Sequence, residues 1–187
     1  MNNSIFPMVM MIWSMFSVVA WAEMPLIPQT GQTTSFGARD DGALQKGVIW
    51  PTQRFSDNSN GTVSDNLTGL IWLKDANCGV ALTWTAALTA ANTLANGTCS
   101  LSDGSKIGDW RLPNRKEIKS LVNRQQTDTS VWLNSVGFSN CQADYYWSSS
   151  TVANATTSAW RLNLLNGYVS TDNKLNLGYV LPVRGGK

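Results

Sequence analysis

The sequence predicts an α+β domain in which two helices accompany an antiparallel β-sheet and hairpins. Three observations predict this class. Short strand-like runs separated by Asn/Gly turn signals begin at Val48, two patterns of helical period follow between Thr83 and Asn123, and strand-like runs return after Asn134. Strands that are segregated from helices along a chain are typical of α+β domains rather than of βαβ folds.

The composition limits the chemistry that the chain can perform. It has 187 residues and no histidine, so it offers no Ser-His-Asp triad, no Cys-His dyad and no HExxH zinc site. Its 14 Lys and Arg against 12 Asp and Glu give a net charge of +2, too small to predict nucleic-acid binding. The length fits one domain after removal of a leader. We therefore expect a single domain that is not an enzyme.

Residues 1–22 have the features of a secretory signal peptide. An apolar run from about Ile5 to Ala20 ends in Ala20-Trp21-Ala22, a small-x-small cleavage pattern, and no charged side chain precedes Glu23. The alternative is a retained membrane anchor, but about 16 apolar residues fall short of the ~20 that a spanning helix needs. The sequence thus predicts a secreted or periplasmic protein with no membrane association after cleavage.

The next segment, residues 23–47, is rich in Pro, Gln, Thr and Gly and lacks periodicity. We expect it to be an extended N-terminal segment, pinned to the domain at Phe36 and Leu44. The domain itself is predicted over residues 48–187.

The first predicted elements of the domain are strands. Residues 54–57 and 62–65 flank Asn60-Gly61, a pair that readily adopts positive φ, and so predict a small hairpin. The turn at residues 66–69 leads into an apolar strand at 70–73.

Two helices are predicted next. The first has Thr83 as its N-cap, carries Ala and Leu at helical spacing and ends at Asn96-Gly97. The second follows Pro113, with Asn114 as its N-cap and Glu117 three residues later, the spacing of a capping box.

After Asn134 the chain returns to short runs with strand character. The pair Asn166-Gly167 between two of them is a second hairpin signal. The predicted strands cover residues 145–149, 158–164, 167–171 and 178–184.

Three cysteines allow one intrachain disulfide, with three possible pairings. Cys78 and Cys99 flank the first predicted helix, and a bridge between them would tie the ends of that helical excursion together. Cys141 would then be either a buried free thiol or an intermolecular bridge, and the first is favoured because free cysteines are usually buried. A catalytic thiol is disfavoured because the chain has no histidine to activate it.

Four ordered blocks of sequence carry a resemblance to a known family. Together they resemble the bacterial domain of unknown function typified by the C-terminal domain of the Legionella collagen-like protein, over about residues 30–187. The blocks are Asp57-Asn58 with Gly61-Thr62-Val63 and Asp65-Asn66-Leu67-Thr68-Gly69-Leu70-Ile71-Trp72; Asp109-Trp110-Arg111-Leu112-Pro113-Asn114-Arg115-Lys116-Glu117; Tyr146-Trp147-Ser148-Ser149; and Pro182-Val183-Arg184-Gly185-Gly186.

The resemblance implies a C-type-lectin-like fold and a distant relation to the formylglycine-generating, sulfatase-modifying enzymes. It also implies an extracytoplasmic role and, as in adhesin members, binding to sulfated glycans. The related enzymes depend on a pair of cysteines near the C terminus, whereas no Cys follows Cys141 here, so we expect no such activity. The sequence has no collagen-like repeats, so trimer formation is not carried over from the type member, and a homo-oligomer stays an open alternative.

A cluster of five cations within 14 residues is the candidate binding site, and only Glu117 opposes it. Arg115 and Lys119 are one helical turn apart and can face the same direction. Arginine also pairs in bidentate fashion with sulfate or carboxylate. We therefore expect the cluster to recognise anionic or sulfated polysaccharide, or another cell-surface partner. Its members are Arg111, Arg115, Lys116, Lys119 and Arg124.

Two alternatives without ligand binding stay open. The cluster could be an ordinary solvated helix face, with Arg111 used in a structural pair with Asp109 or the sheet. The protein would then be a structural or assembly component of the cell surface without a ligand of its own.

A calcium loop is suggested by four polar residues around Gly61, because Ca²⁺ prefers clustered carboxylate and amide oxygens. The spacing departs from the EF-hand pattern, the sugar-binding triplets of calcium-dependent lectins are absent, and turn formation explains the run equally well. We therefore predict no cofactor and no metal, with calcium near residues 57–65 as the open alternative. The four residues are Asp57, Asn58, Asn60 and Asp65.

Tryptophans suggest stacking on sugars. Trp72, Trp84, Trp147 and Trp160 lie within apolar strand or helix patterns, where packing in the core is the expectation. Trp110 and Trp132 adjoin loops instead, so we expect these two to be exposed more readily.

Overall fold

The computed structural model describes residues 27–185 of the chain. The predicted signal peptide, residues 1–22, lies outside them. Over residues 27–185 the structure has no helix with the length and apolar character needed to cross a membrane.

The described residues form four helices and two antiparallel sheets, so the predicted α+β class is confirmed. The larger sheet has the strand order β1-β2-β3-β7 and the smaller one the order β4-β5-β6. In chain order the elements are α1 (Asp41–Leu44), β1 (Phe55–Asp57), β2 (Thr62–Asp65), β3 (Leu70–Leu73), α2 (Trp84–Thr93), α3 (Arg115–Ser120), α4 (Thr129–Ser135), β4 (Tyr145–Val152), β5 (Ala155–Asn163), β6 (Val169–Asn173) and β7 (Val183–Gly185).

Helices α1 and α4 are additional to the two that were predicted. They have four and seven residues, too few to show a helical period in the sequence. Both begin at an aspartate: the side chain of Asp40 accepts a hydrogen bond from the Ala43 N–H, and that of Asp128 accepts from the N–H groups of Ser130 and Val131.

The capping box predicted for α3 is present. The Asn114 Oδ1 accepts hydrogen bonds from the N–H groups of Lys116 and Glu117, at 2.8 and 3.0 Å. In return the Glu117 carboxylate accepts one from the Asn114 N–H at 2.8 Å. These bonds satisfy donors that a helix start leaves free, and they fix the direction in which the short helix leaves the loop.

The C-terminal segment 178–185 joins the two sheets. Tyr179 exchanges backbone hydrogen bonds with Tyr145 and Trp147 beside β4, while β7 pairs with β3. The predicted strand 178–184 is therefore split, and only Val183–Gly185 continues as a strand. Pro182 lies at the break, where it has no N–H to donate to a ladder.

The core is built on tryptophan. Trp72 and Trp147 are fully buried, as expected from their strand patterns. The expectation that Trp110 is exposed is wrong, since its side chain is 0% exposed. The loop that carries it is itself covered, because Arg111 forms a β-bridge with Val183 and the Arg184 guanidinium lies 5.2 Å from the Trp110 ring.

Helix α2 packs on the smaller sheet through small side chains. Thr83 precedes the helix as predicted, although its side chain makes no capping hydrogen bond, and the helix ends at Thr93 rather than at Asn96-Gly97. Its buried face uses alanine, which lets the helix backbone lie close to the sheet. The residues buried together in this layer are Ala87, Ala91, Leu112, Trp147, Ala159 and Val180.

The N-terminal segment is held to the domain by polar contacts. The Gln125 Oε1 accepts hydrogen bonds from the N–H groups of Thr33 and Thr34, at 2.8 and 2.9 Å. The predicted anchors are wrong, because Phe36 and Leu44 are 83% and 47% exposed. The anchor is a side-chain amide that binds backbone N–H groups, so the apolar residues of the segment do not indicate where it is attached.

Arg54 is the central polar residue of the interior, only 5% exposed. It forms an ion pair with the buried Asp65, with Nη2 3.2 Å from Oδ2, and Nη2 also donates to the Ser120 carbonyl at 2.6 Å. Its guanidinium carbon lies 4.1 Å from the centre of the Trp50 ring and 4.7 Å from that of Phe55. One side chain thus joins Trp50, the larger sheet and the end of α3.

The Arg54→Met substitution is expected to lower the free energy of unfolding by about 3–5 kcal/mol, because it leaves the Asp65 carboxylate buried and unpaired. Urea denaturation measures this loss. The double substitution Arg54→Met/Asp65→Asn removes the unpaired charge and should cost less than Arg54→Met alone. A loss below about 1 kcal/mol for Arg54→Met would contradict this account.

The predicted disulfide between Cys78 and Cys99 is present, at a sequence separation of 21 residues. Helix α2 lies within the loop that it closes. Cys141 is a buried free cysteine, in agreement with the favoured alternative. Burial first, and the nearby charge of Asp75 second, raise the pKa of the Cys141 thiol to about 12.

Removal of the disulfide in a Cys78→Ala/Cys99→Ala variant is expected to lower the free energy of unfolding by about 3 kcal/mol, the chain-entropy value for a loop of this length. Urea denaturation with and without reductant measures it. The reductant should destabilise the wild-type protein by a similar amount and leave the variant unchanged. Equal stability of the two proteins under oxidising conditions would refute the assignment.

Candidate functional site

The five candidate cations lie in and around α3, and the structure separates Arg111 from the other four. The Arg111 guanidinium forms a bidentate pair with the Glu117 carboxylate, at 2.7 and 2.8 Å, and also donates to the Gly185 carbonyl at 3.1 Å. The alternative pairing with Asp109 is wrong, because the Asp109 carboxylate accepts from the Lys106 N–H instead. Arg111 thus fastens the start of α3 to β7.

The pair with Arg111 also sets the ionisation of Glu117. Burial alone would raise the pKa of Glu117, but the hydrogen bonds from Arg111 and from the Asn114 N–H, together with the Arg111 charge, outweigh it. The net result is a pKa below the ordinary glutamate value. Glu117 therefore stays ionised at neutral pH and points its charge at Arg111.

Arg115 lines a surface depression of about 530 Å³. Its guanidinium carbon is 4.4 Å from the centre of the Trp160 ring, a cation–π contact. The Arg115 N–H also donates to the Ser150 hydroxyl at 3.1 Å. Residues 150–154 of the β4–β5 hairpin also line this depression.

Lys116, Lys119 and Arg124 line a second depression of about 350 Å³. Arg124 is held in place by its own contacts, since its guanidinium donates to the carbonyls of Asn166 and Gly167 at 3.0 and 3.2 Å. The remainder of the wall is mostly apolar and includes residues 27 and 28 of the N-terminal segment.

Lys119 and Arg124 also border a third depression, of about 430 Å³, formed with residues 166–169 after β5. Lys116 is shared by the first two depressions, and Lys119 and Arg124 by the second and third. We call these three adjoining depressions the basic groove. Among the described residues that line it, four are cations and none is acidic.

Several parts of the basic groove were not predicted from the sequence. Trp160 was expected in the core, but it is half-buried and stacks with Arg115. Tyr168 follows the predicted Asn166-Gly167 turn, yet nothing local indicates that this turn lies beside Arg124. Trp50 was not singled out at all. These contacts join residues far apart in the chain, so only the tertiary fold reveals them.

The residues considered for calcium have partners within the protein. Asp57 pairs with Lys74 at 2.5 Å, a hydrogen bond that lowers the pKa of Asp57, and Asp65 pairs with Arg54. The Asn60 side-chain oxygen accepts from the Thr62 N–H and so closes the hairpin turn. Over residues 27–185, no three His, Cys, Asp or Glu side chains are grouped as a metal site would need.

An α+β domain with two antiparallel sheets and a basic groove along a short helix is the class of protein that these observations define. The family model of the Lcl C-terminal domain matches residues 61–184, about two thirds of the chain. The protein therefore belongs to the Lcl C-terminal domain family, which confirms the resemblance carried by the four sequence blocks. None of the curated proteins matches the chain.

The matched region covers only part of the basic groove. It includes all four groove cations and the hairpins opposite them. It begins at Gly61, so the residues of the N-terminal segment and Trp50, which complete the second depression, lie before it.

The Glu117→Gln substitution tests the ion pair with Arg111 through the pH dependence of the unfolding free energy. Because the pKa of Glu117 is lowered in the folded state, the ionised carboxylate stabilises the fold above the pKa of the unfolded state, and this contribution is lost as pH falls through the lowered pKa. The wild-type protein should exceed the variant in unfolding free energy at pH 7, and the difference should shrink on acidification toward pH ~3.

Denaturant titrations from pH 7 downward measure this difference. The Arg111→Gln variant is the matched comparison. Its unfolding free energy should also be lower than that of the wild type at pH 7, and this difference should shrink as the pH falls. A difference between wild type and Glu117→Gln that does not change with pH would contradict the pairing.

Proposed function

We propose that the protein is an extracytoplasmic, non-enzymatic module that binds anionic, sulfated polysaccharide through the basic groove. The observation that carries the proposal is the arrangement of Arg115, Lys116, Lys119 and Arg124 along three adjoining depressions without an acidic lining residue among those described. A linear polymer with repeated anionic groups matches a row of cations better than a compact ion does.

The chemistry of the groove supports a polymeric ligand. A single exposed ion pair contributes only about 0–1 kcal/mol, so useful affinity requires several pairs at once. Sulfate groups accept bidentate hydrogen bonds from arginine and point contacts from lysine, and the groove offers both kinds of cation. Binding of this kind weakens as salt is added, because the charges are exposed.

The disulfide supports the extracytoplasmic part of the proposal. The Cys78–Cys99 disulfide is compatible with a secreted or periplasmic protein, since such bonds persist outside the reducing cytosol. The predicted signal peptide at residues 1–22 suggests the same destination.

Replacement of three groove cations tests the proposal. The Arg115→Gln/Lys116→Gln/Lys119→Gln variant is expected to bind heparin about tenfold more weakly near physiological salt, since three exposed ion pairs are lost. Isothermal titration and the salt concentration that elutes the protein from a heparin column measure the change.

The matched control is Arg39→Gln/Lys46→Gln/Lys106→Gln, which removes the same net charge from exposed positions outside the groove lining. It should elute close to the wild-type protein. Equal weakening in both variants would show that only net charge matters, and unchanged binding in the groove variant would refute the proposal. A chelator should leave binding unchanged, whereas loss of binding would revive the calcium alternative.

A further inference from the structure

The second depression of the basic groove is lined by apolar residues as well as by cations, and charge pairing alone would not require the apolar ones. We infer that it is a subsite for a sugar ring that carries an anionic substituent, and that the N-terminal segment supplies one wall of this subsite. The inference rests on the proposed function and specifies how a polysaccharide would be recognised: by its ring as well as by its charge.

The wall is fixed by backbone hydrogen bonds on two sides. On one side the Val48 N–H donates to the Ile27 carbonyl at 2.9 Å, and the Gln29 N–H donates to the Val48 carbonyl at 3.0 Å. On the other side the Arg124 N–H donates to the Thr30 carbonyl at 3.0 Å. The segment therefore lies beside a groove cation as a short extended stretch with one β-bridge, between Pro28 and Val48, and it is already in the position that binding needs.

Trp50 completes the wall in a fixed orientation. Its indole N–H donates to the Gln29 carbonyl at 2.8 Å, and one face of its ring system covers the Arg54 guanidinium at 4.1 Å. Because the hydrogen bond and the contact with Arg54 already fix the Trp50 ring, it presents apolar surface without losing further conformational freedom on binding.

The lining of the depression combines charged and apolar residues. Lys116, Lys119 and Arg124 are the charged ones, and most of the other lining residues are apolar. Among these, Ile27 is 76% exposed and Leu67 is only partly buried. The apolar lining residues are Ile27, Pro28, Trp50, Leu67 and Val122.

A ring with an anionic substituent fits both kinds of lining residue. Its C–H surface can cover the apolar wall while its sulfate or carboxylate meets the cations, and its hydroxyls reach the polar lining of Gln29, Thr30 and Ser120. The volume of about 350 Å³ lies in the range of about 300–1,000 Å³ that is usual for small-ligand sites. Asp41 lies beside this lining, where its carboxylate accepts a hydrogen bond from the Thr30 hydroxyl.

The position of the depression favours a saccharide over a free amphiphile. It shares lining residues with two depressions whose lining includes the hydroxyl and amide side chains of Asn114, Ser150, Asn154 and Asn166. A chain of sugar units can hydrogen-bond to these polar side chains in both neighbouring depressions, whereas an alkyl chain could contact only the apolar part of their lining, such as Val152 and Trp160.

The test separates ring contacts from charge contacts. The Ile27→Ser/Leu67→Gln variant removes apolar wall and leaves every cation in place. Val80→Ser/Leu175→Gln is the matched control, because it removes two exposed apolar side chains, 61% and 80% exposed, that do not line the groove. The probes are a heparin-derived hexasaccharide, polyphosphate of similar charge, which has no rings, and monomeric decyl sulfate.

We expect the wall variant to bind the hexasaccharide about three- to tenfold more weakly than the wild type, because apolar contact area is lost. Polyphosphate binding should change by less than about twofold in the wall variant, and the control variant should bind both probes as the wild type does. Thermal denaturation of both variants verifies that the fold is retained.

Two results would overturn the inference. One is equal affinity of the wall variant and the wild type for the hexasaccharide. The other is decyl sulfate binding that the wall variant loses while it keeps the hexasaccharide, which would assign the depression to an alkyl chain. Failure of the proposed function looks different: the variant that lacks three groove cations would then keep its affinity for both hexasaccharide and polyphosphate.

Discussion

The buried guanidinium of Arg54 is the contact on which the rest of the structure depends. It lies against Trp50, pairs with Asp65 and donates to the Ser120 carbonyl. Asp65 in turn accepts from the Leu67 N–H at 3.0 Å and so shapes the next turn. Trp50, Leu67 and Ser120 all line the second depression of the basic groove. The geometry of this surface site is thus set by one charge in the interior.

Arginine suits this position for physical reasons. Transfer of a charge out of water is costly, and burial does lower the pKa of Arg54, against the hydrogen bond and charge of Asp65. The planar guanidinium recovers part of that cost, since its edge donates to two partners while its faces contact the rings of Trp50 and Phe55. A lysine could not make edge and face contacts together, so it could not hold the same elements.

Features whose cause is local could be predicted from the sequence, and features that depend on distant partners could not. The capping box of Asn114 and Glu117 acts within four residues, and the pattern shows it. Burial of Trp110 depends on β7, more than 70 residues later. The anchoring of the N-terminal segment by Gln125 likewise spans about 90 residues. Neither contact leaves a trace in composition or periodicity.

In the candidate site, too, the decisive contact is made in the fold. It is the pairing of Glu117, which decides how many of the five cations are left to bind a ligand. In the sequence Glu117 is the one acid among five cations, a position from which its charge would weaken their attraction for an anion. In the fold its carboxylate accepts two hydrogen bonds from Arg111, and Glu117 is not among the residues that line the groove. Two opposite charges thus cancel at the start of α3, and the four remaining cations face depressions without an acidic lining residue among those described. The local field of the groove is therefore more positive than the net charge of +2 suggests.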